Sequence, residues 1–219
     1  MGGFHLWRKS MPRIQNKKIQ KSYPNKLYYF ICEDEKSMLY YLDGLKKKYK
    51  GKAVIQYQKA NKGTDVNSIK KHTKEKWTEI NNEKDAYPKG FKIIACFDKD
   101  DNNINDIKRT ITDFDKKPSL GTIYNNPCYE YWLMLHIESI NKEFLNSKQC
   151  ERECMEKINK HYKQSFVDLD KFKSFKNIFN IVGKDIEKAI NNSKKINFIG
   201  YNNTFTNAHS VFEEIIKMK

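Results

Sequence analysis

Phe91-Lys92-Ile93-Ile94-Ala95-Cys96-Phe97-Asp98-Lys99-Asp100-Asp101-Asn102 is the stretch that decides the fold. A short apolar run, opened by Pro88 and Gly90, stops abruptly in acids. A run of that length and composition reads as a strand buried on both faces, as in a parallel sheet. Working outward, Leu27-Tyr28-Tyr29-Phe30-Ile31-Cys32 has the same character and also ends in acids, Glu33-Asp34-Glu35.

Residues 53–58 and 120–124 read as two further strands. Between the four strands lie helical stretches at 37–49, 66–81 and 104–116, the second of them polar; in the first, Met38, Leu39, Tyr41, Leu42 and Leu45 share one side. Strand–helix alternation at this spacing predicts an α/β fold, a Rossmann-like parallel sheet with helices on both faces. Beyond about residue 140 the pattern is helical, near 147–162, 172–196 and 206–218. The expected organisation is a basic N-terminal arm over 1–25 closed by Tyr23-Pro24-Asn25, an α/β domain over 26–140, and a helical C-terminal region over 141–219 packing on it.

The chain has 219 residues and a formal net charge of +15, and its first 32 residues hold seven Lys or Arg and no Asp or Glu. Such a balance points to a polyanionic partner, RNA or DNA, with Arg8, Arg13, Lys36 and Lys99 as candidate phosphate contacts. Only four of the 42 basic residues are Arg, so a general Lys bias that merely fills solvated faces explains part of the charge. No apolar run approaches the roughly 20 residues needed to cross a bilayer, and the N-terminus lacks the apolar core of a secretion signal. A cytoplasmic protein is expected. Five cysteines without framework spacing fit a reducing compartment. Cys150 and Cys154 share a helical face near His161, but no second pair at zinc spacing accompanies them, so free buried thiols are the expectation.

Binding groups in a parallel α/β sheet collect beyond the carboxyl ends of the strands. If the strands at 27–32 and 91–97 are neighbours, Glu33, Asp98 and Asp100 converge, and in extended chain residues i and i+2 point the same way. Two unit charges about 4.5 Å apart repel by roughly 4 kcal/mol at an effective dielectric of about 20. A divalent cation is the simplest offset, and all-oxygen ligands favour Mg²⁺ or Mn²⁺ over zinc. The plain alternative is a solvated loop capping the next helix, and Glu33 alone equally suits a helix N-terminus. The weight lies in the combination.

A second block runs from Tyr124 to His136. Asn126 is expected to cap a helix with Pro127 at its first position. That helix is apolar nearly all round, which places Glu130 one turn into a buried element, where a carboxylate needs a partner. A structural hydrogen bond and a role at the metal site or in orienting water are both open for Glu130. His136 reads as a satisfied core histidine.

At this point the chain resembles the RloB-like proteins. Residues 30–49, FICEDEKSMLYYLDGLKKKY, are similar to their "CEGE-K-T…Y…L" opening, and FDKDDN (97–102) to their "FDRDDH". NNPCYEYWLMLH (125–136) resembles "SNPCFELWLLLH", and Thr206-Asn207-Ala208-His209-Ser210-Val211 resembles a C-terminal "STNVH-L" element. The likeness runs from about residue 27 to 216. It departs at Asp34, where the family has Gly, and at Asp101-Asn102, where the family has an acid–His pair.

The resemblance implies a Toprim-like domain whose Mg²⁺ (or Mn²⁺) site would be Glu33, Asp98 and Asp100, with Glu35 as rival for the Glu33 role and Glu130 assisting. It also implies a phosphodiester-cleaving effector of bacterial phage defence of the abortive-infection kind, often beside a partner ATPase of the AAA or ABC type. Structured RNA such as tRNA is slightly favoured over DNA as substrate. The competing class is a non-catalytic nucleic-acid adaptor or sensor subunit controlling that ATPase. Topoisomerase chemistry fits less well, since the chain has no room for a large domain carrying a nucleophilic Tyr. Oligomerisation is open.

Overall fold

Burial on both faces explains why the strand sequences are apolar throughout rather than alternating. In the computed structural model, which describes residues 23–33, 36–61, 63–196 and 198–218, β1 (Leu27–Cys32) sends Tyr28, Phe30 and Cys32 into one core and Leu27, Tyr29 and Ile31 into the other. β3 (Phe91–Asp98) repeats the division, with Ile94 and Cys96 on the first side and Ile93, Ala95 and Phe97 on the second.

With β2 (Val54–Lys59), β4 (Leu120–Asn126) and β5 (Phe205–Thr206) they form one sheet in the order β2-β1-β3-β4-β5. The first four strands are parallel, and β5 pairs antiparallel with β4. The α/β architecture expected from the sequence is the one observed.

α1 (Ser37–Lys48) follows β1, with Met38, Tyr41, Leu42 and Leu45 buried and Leu39 half-buried. α2 (Val66–Asn82) and α3 (Ile104–Asp115) cover the opposite face. Asp65 caps α2 by accepting from the N–H groups of Asn67 and Ser68, and Asn103 caps α3 by accepting from that of Asn105. α4 (Glu130–Leu135) and α5 (Ser147–Tyr162) lie in the α1 core, where Trp132 packs against Phe212 and His136 with ring centroids 5.1 and 5.2 Å apart.

The C-terminal pattern departs from expectation in two places. The continuous helix expected over 172–196 is instead α6 (Leu169–Lys173), α7 (Ile178–Val182), a 3-10 turn at Gly183–Asp185, and α8 (Ile186–Lys194). Phe172, Phe179, Val182, Ile186 and Ile190 all enter one core at spacings that share one helical face, so the pattern reads as continuous, but the backbone leaves helical geometry at Ser174 (ψ 5°) and Asn177 (ψ 20°). At 206–218 the chain first adds β5 and only then forms α9 (Ala208–Ile216). There the Thr206 hydroxyl accepts from the Ala208 N–H at 3.2 Å. The sequence after residue 140 thus contributes a strand to the sheet as well as helices. Glu214 on α9 binds Lys26 at 2.6 Å and Lys92 at 2.8 Å, tying the helix across the starts of β1 and β3. Among the described residues no helix is long and apolar enough to cross a membrane.

Candidate metal and catalytic site

The strand order reverses direction between β1 and β3, the crevice where open α/β sheets bind ligands. Cys32 is in register with Cys96, so the chain leaves both strands side by side and delivers Glu33 beside Asp98. Glu33 Oε2 accepts from the Asp98 backbone N–H at 2.9 Å. Asp98 Oδ1 accepts from Asn125 Nδ2 at 2.9 Å, and its Oδ2 accepts from the Tyr129 N–H at 3.2 Å. Burial, then the negative charges of Glu33 and Glu130, push the Asp98 carboxyl well above the usual carboxylate range; the Asn125 hydrogen bond opposes them.

Asp100 does not continue the strand beyond Asp98. The strand ends at Asp98 and Asp100 takes a positive φ of 24°, so the extended D-x-D geometry expected from the sequence is not adopted. Its Oδ1 accepts instead from the Ser147 hydroxyl, although its charge is still felt at Asp98. The turn is held by Asn102, whose Nδ2 donates to the Asp98 carbonyl at 2.9 Å and whose Oδ1 receives the Val66 N–H at 2.8 Å. Lys99 donates to the carbonyls of Asp100 (3.2 Å) and Asn102 (2.9 Å), which occupies part of its capacity for phosphate. Asp101 and Lys36 are exposed. Arg8, Arg13 and Glu35 lie outside the described residues.

The expected role of Asn126 is corrected. β4 runs on through Asn126, the Asn126–Pro127 peptide is cis, and α4 begins at Glu130, so Glu130 is the first helical residue rather than one turn in. The Asn126 amide donates to the carbonyls of Tyr201 (3.1 Å) and Asn203 (2.8 Å) and fastens the C-terminal loop to the sheet.

Glu130 is buried and accepts from the Ser37 hydroxyl at 2.8 Å. Burial raises its pKa, while Lys173 and Ser37 pull the other way. Among the described residues, the group of three candidate ligands whose donor atoms lie within 4.8 Å of one another is Cys128, Glu130 and Glu151. Lys173 binds Glu151 at 2.8 Å, so that group has its own offset to negative charge. His136 is buried between the Trp132 carbonyl and the Tyr41 hydroxyl, both 3.1 Å away, as a core histidine should be. All five cysteines are free and buried.

Two residues central to this arrangement had no role in the sequence reading. Asn125 holds Asp98, and its own Oδ1 accepts from the Thr206 hydroxyl at 2.7 Å. The neighbouring Asn207 accepts from the Tyr124 N–H at 2.7 Å. The C-terminal block starting at Thr206 therefore sets the orientation of Asp98 through Asn125. Its likeness to a family element was the available signal.

A hard cation fits this donor set. Glu33 and Asp98 offer oxygen only, and a divalent ion would relieve the like-charge crowding that adds to burial in raising the Asp98 pKa.

Fold and site together define an α/β protein with an acidic centre at the switch point of a parallel sheet. The chain belongs to the RloB-like family: the family described as RloB-like protein matches residues 28–215. No curated protein and no solved structure matches the chain.

Proposed function

We propose that this protein is a Mg²⁺-dependent, Toprim-type endonuclease acting as an effector of bacterial phage defence, with RNA slightly favoured over DNA. The observation that carries the reading is the meeting of Glu33 and Asp98 at the β1/β3 junction, with the Asp98 carboxyl pushed up by burial and by its acidic neighbours. Glu33 and Asp98 would hold the ion, and Asp100 would join them only by leaving Ser147. Bound there, Mg²⁺ would orient a phosphodiester and stabilise its leaving oxygen. Asn125 and the Tyr129 N–H fix the Asp98 carboxylate, and Glu33 serves as ligand or general acid/base. Glu130 is tied to Ser37 and acts on the site through its charge. The defence role and a partner ATPase rest on family membership.

A second reading, a non-catalytic nucleic-acid adaptor or sensor subunit, is favoured by one observation: Glu33, Asp98 and Asp100 all accept hydrogen bonds from within the chain. Incubation of the purified chain with RNA and DNA separates the two. The enzyme cleaves with Mg²⁺ or Mn²⁺ and is silent in EDTA; the adaptor binds equally in both and cleaves nothing. Toxicity on expression, lost in Asp98→Asn, is the corresponding readout in cells where a partner must release the activity.

A further inference from the structure

Beside the acidic centre opens a cleft of about 560 Å³, walled by Lys99 and Asp100 on one side, Leu145 and Lys148 on another, and Asn126 and Asn202 on a third. The last two walls are fastened together. Glu143 accepts from the Asn203 side chain (3.1 Å) and the Thr204 N–H (2.7 Å), and the Thr204 hydroxyl accepts from the Phe144 N–H at 3.0 Å. Tyr201 is anchored by its carbonyl to Tyr124 and Asn126. Large apolar side chains nevertheless stand in solvent here: Leu145, which lines the cleft, is 90 % exposed, and the segment leading into Asn202 carries Ile199 at 77 % and Phe198 at 49 %. Phe198 meets Tyr201 and Phe205 edge-on, each with centroids 4.9 Å away, and the exposed Lys108 lies 5.9 Å from the Tyr201 ring.

We propose that the cleft and its rim hold an unpaired nucleic-acid strand, with phosphates near Lys99 and Lys148 and bases against Leu145 and Phe198. The inference deepens the reading of the acidic centre as a nucleic-acid site and rests on it. Cations beside an exposed ring, Phe198, suit single strands, whose base faces are free to stack, whereas a duplex hides those faces. The net charge of +15 supplies the complementary sign. Asp100 and the exposed Asp101, which line the same cleft, oppose a phosphate directly beside them, which places the phosphates toward the two lysines.

The test uses fluorescence anisotropy with labelled RNA and DNA oligonucleotides, single-stranded and duplex, and the full chain in EDTA, so that neither metal nor cleavage enters the readout. Single strands of either sugar should bind at least tenfold more tightly than their duplexes. Phe198→Ala should weaken single-strand binding by fivefold or more, the lower end of the cost of one lost base stack, and Leu145→Ala, which removes an apolar contact and no ring, by less, with both variants still folded. This result upholds the inference even if Mg²⁺ elicits no cleavage, an outcome that would count against the nuclease reading alone. Equal affinity for duplex and single strand, or wild-type binding by both variants, overturns it. So does loss of a concentration-dependent dimer on these substitutions in place of lost oligonucleotide binding.

Discussion

Glu33 Oε2 sits 2.9 Å from the backbone nitrogen of Asp98, so the acid ending β1 is clamped to the end of β3 beside a second carboxylate. Two acids held this way raise the energy of the metal-free protein, a strain expected where binding has been favoured over stability. Glu33→Gln keeps an acceptor for the Asp98 N–H and removes one charge. In EDTA at neutral pH this variant should melt about 2–4 °C above wild type, the shift about 1 kcal/mol gives in a chain of this size. Differential scanning fluorimetry checks it; a lower midpoint contradicts the crowding.

Thr206 orients Asn125, and Asn125 holds Asp98. Thr206→Val preserves shape and removes both the donor to Asn125 and the acceptor for the Ala208 N–H. Partners that position a ligand from behind are worth 10–100-fold in metal affinity or activity, so Mn²⁺ affinity should fall roughly tenfold in Thr206→Val and return in Thr206→Ser. Titration followed by electron paramagnetic resonance gives the comparison.

His136 is buried and neutral, its pKa lowered from 6.5 to about 4 chiefly by loss of solvent. Because the folded value lies below the unfolded one, the unfolded chain binds the proton first as pH falls. The contribution is complete above pH 6.5 and is lost progressively down to about 4, amounting to roughly 3 kcal/mol at about 1.4 kcal/mol per pH unit. Urea melts across that range should show the loss, and His136→Gln should flatten it.

Gly44 on α1 leaves room for Phe179 of α7: a Cβ at Gly44 would stand 2.6 Å from Phe179 Cγ. Gly44→Ala must displace a buried ring and should cost about 1–3 kcal/mol, as overpacked cores do. Its thermal midpoint reports the cost, with Gly51→Ala, which meets nothing within 4 Å, as the control.

Much of this was legible in the sequence because burial on two faces writes apolar runs, and the strands at 27–32 and 91–98 are such runs. Their adjacency placed Glu33 and Asp98 together. β5 was not legible, since two residues carry no periodicity and Phe205–Thr206 pairs only because the chain returns to the edge of β4. Asp100 misled for a local reason: a positive φ at a non-glycine residue leaves no mark in composition. Asn125 and Thr206 are ordinary polar residues 81 positions apart, and only folding makes them a unit.

The central claim is that Glu33 and Asp98 form a seat for a divalent cation. Isothermal titration of Mn²⁺ into wild-type protein, Glu33→Gln and Asp98→Asn tests it most directly. One saturable site in the wild type, weakened at least tenfold in each variant while both remain folded, is the predicted result. Identical binding by all three proteins, or none by the wild type, would contradict it.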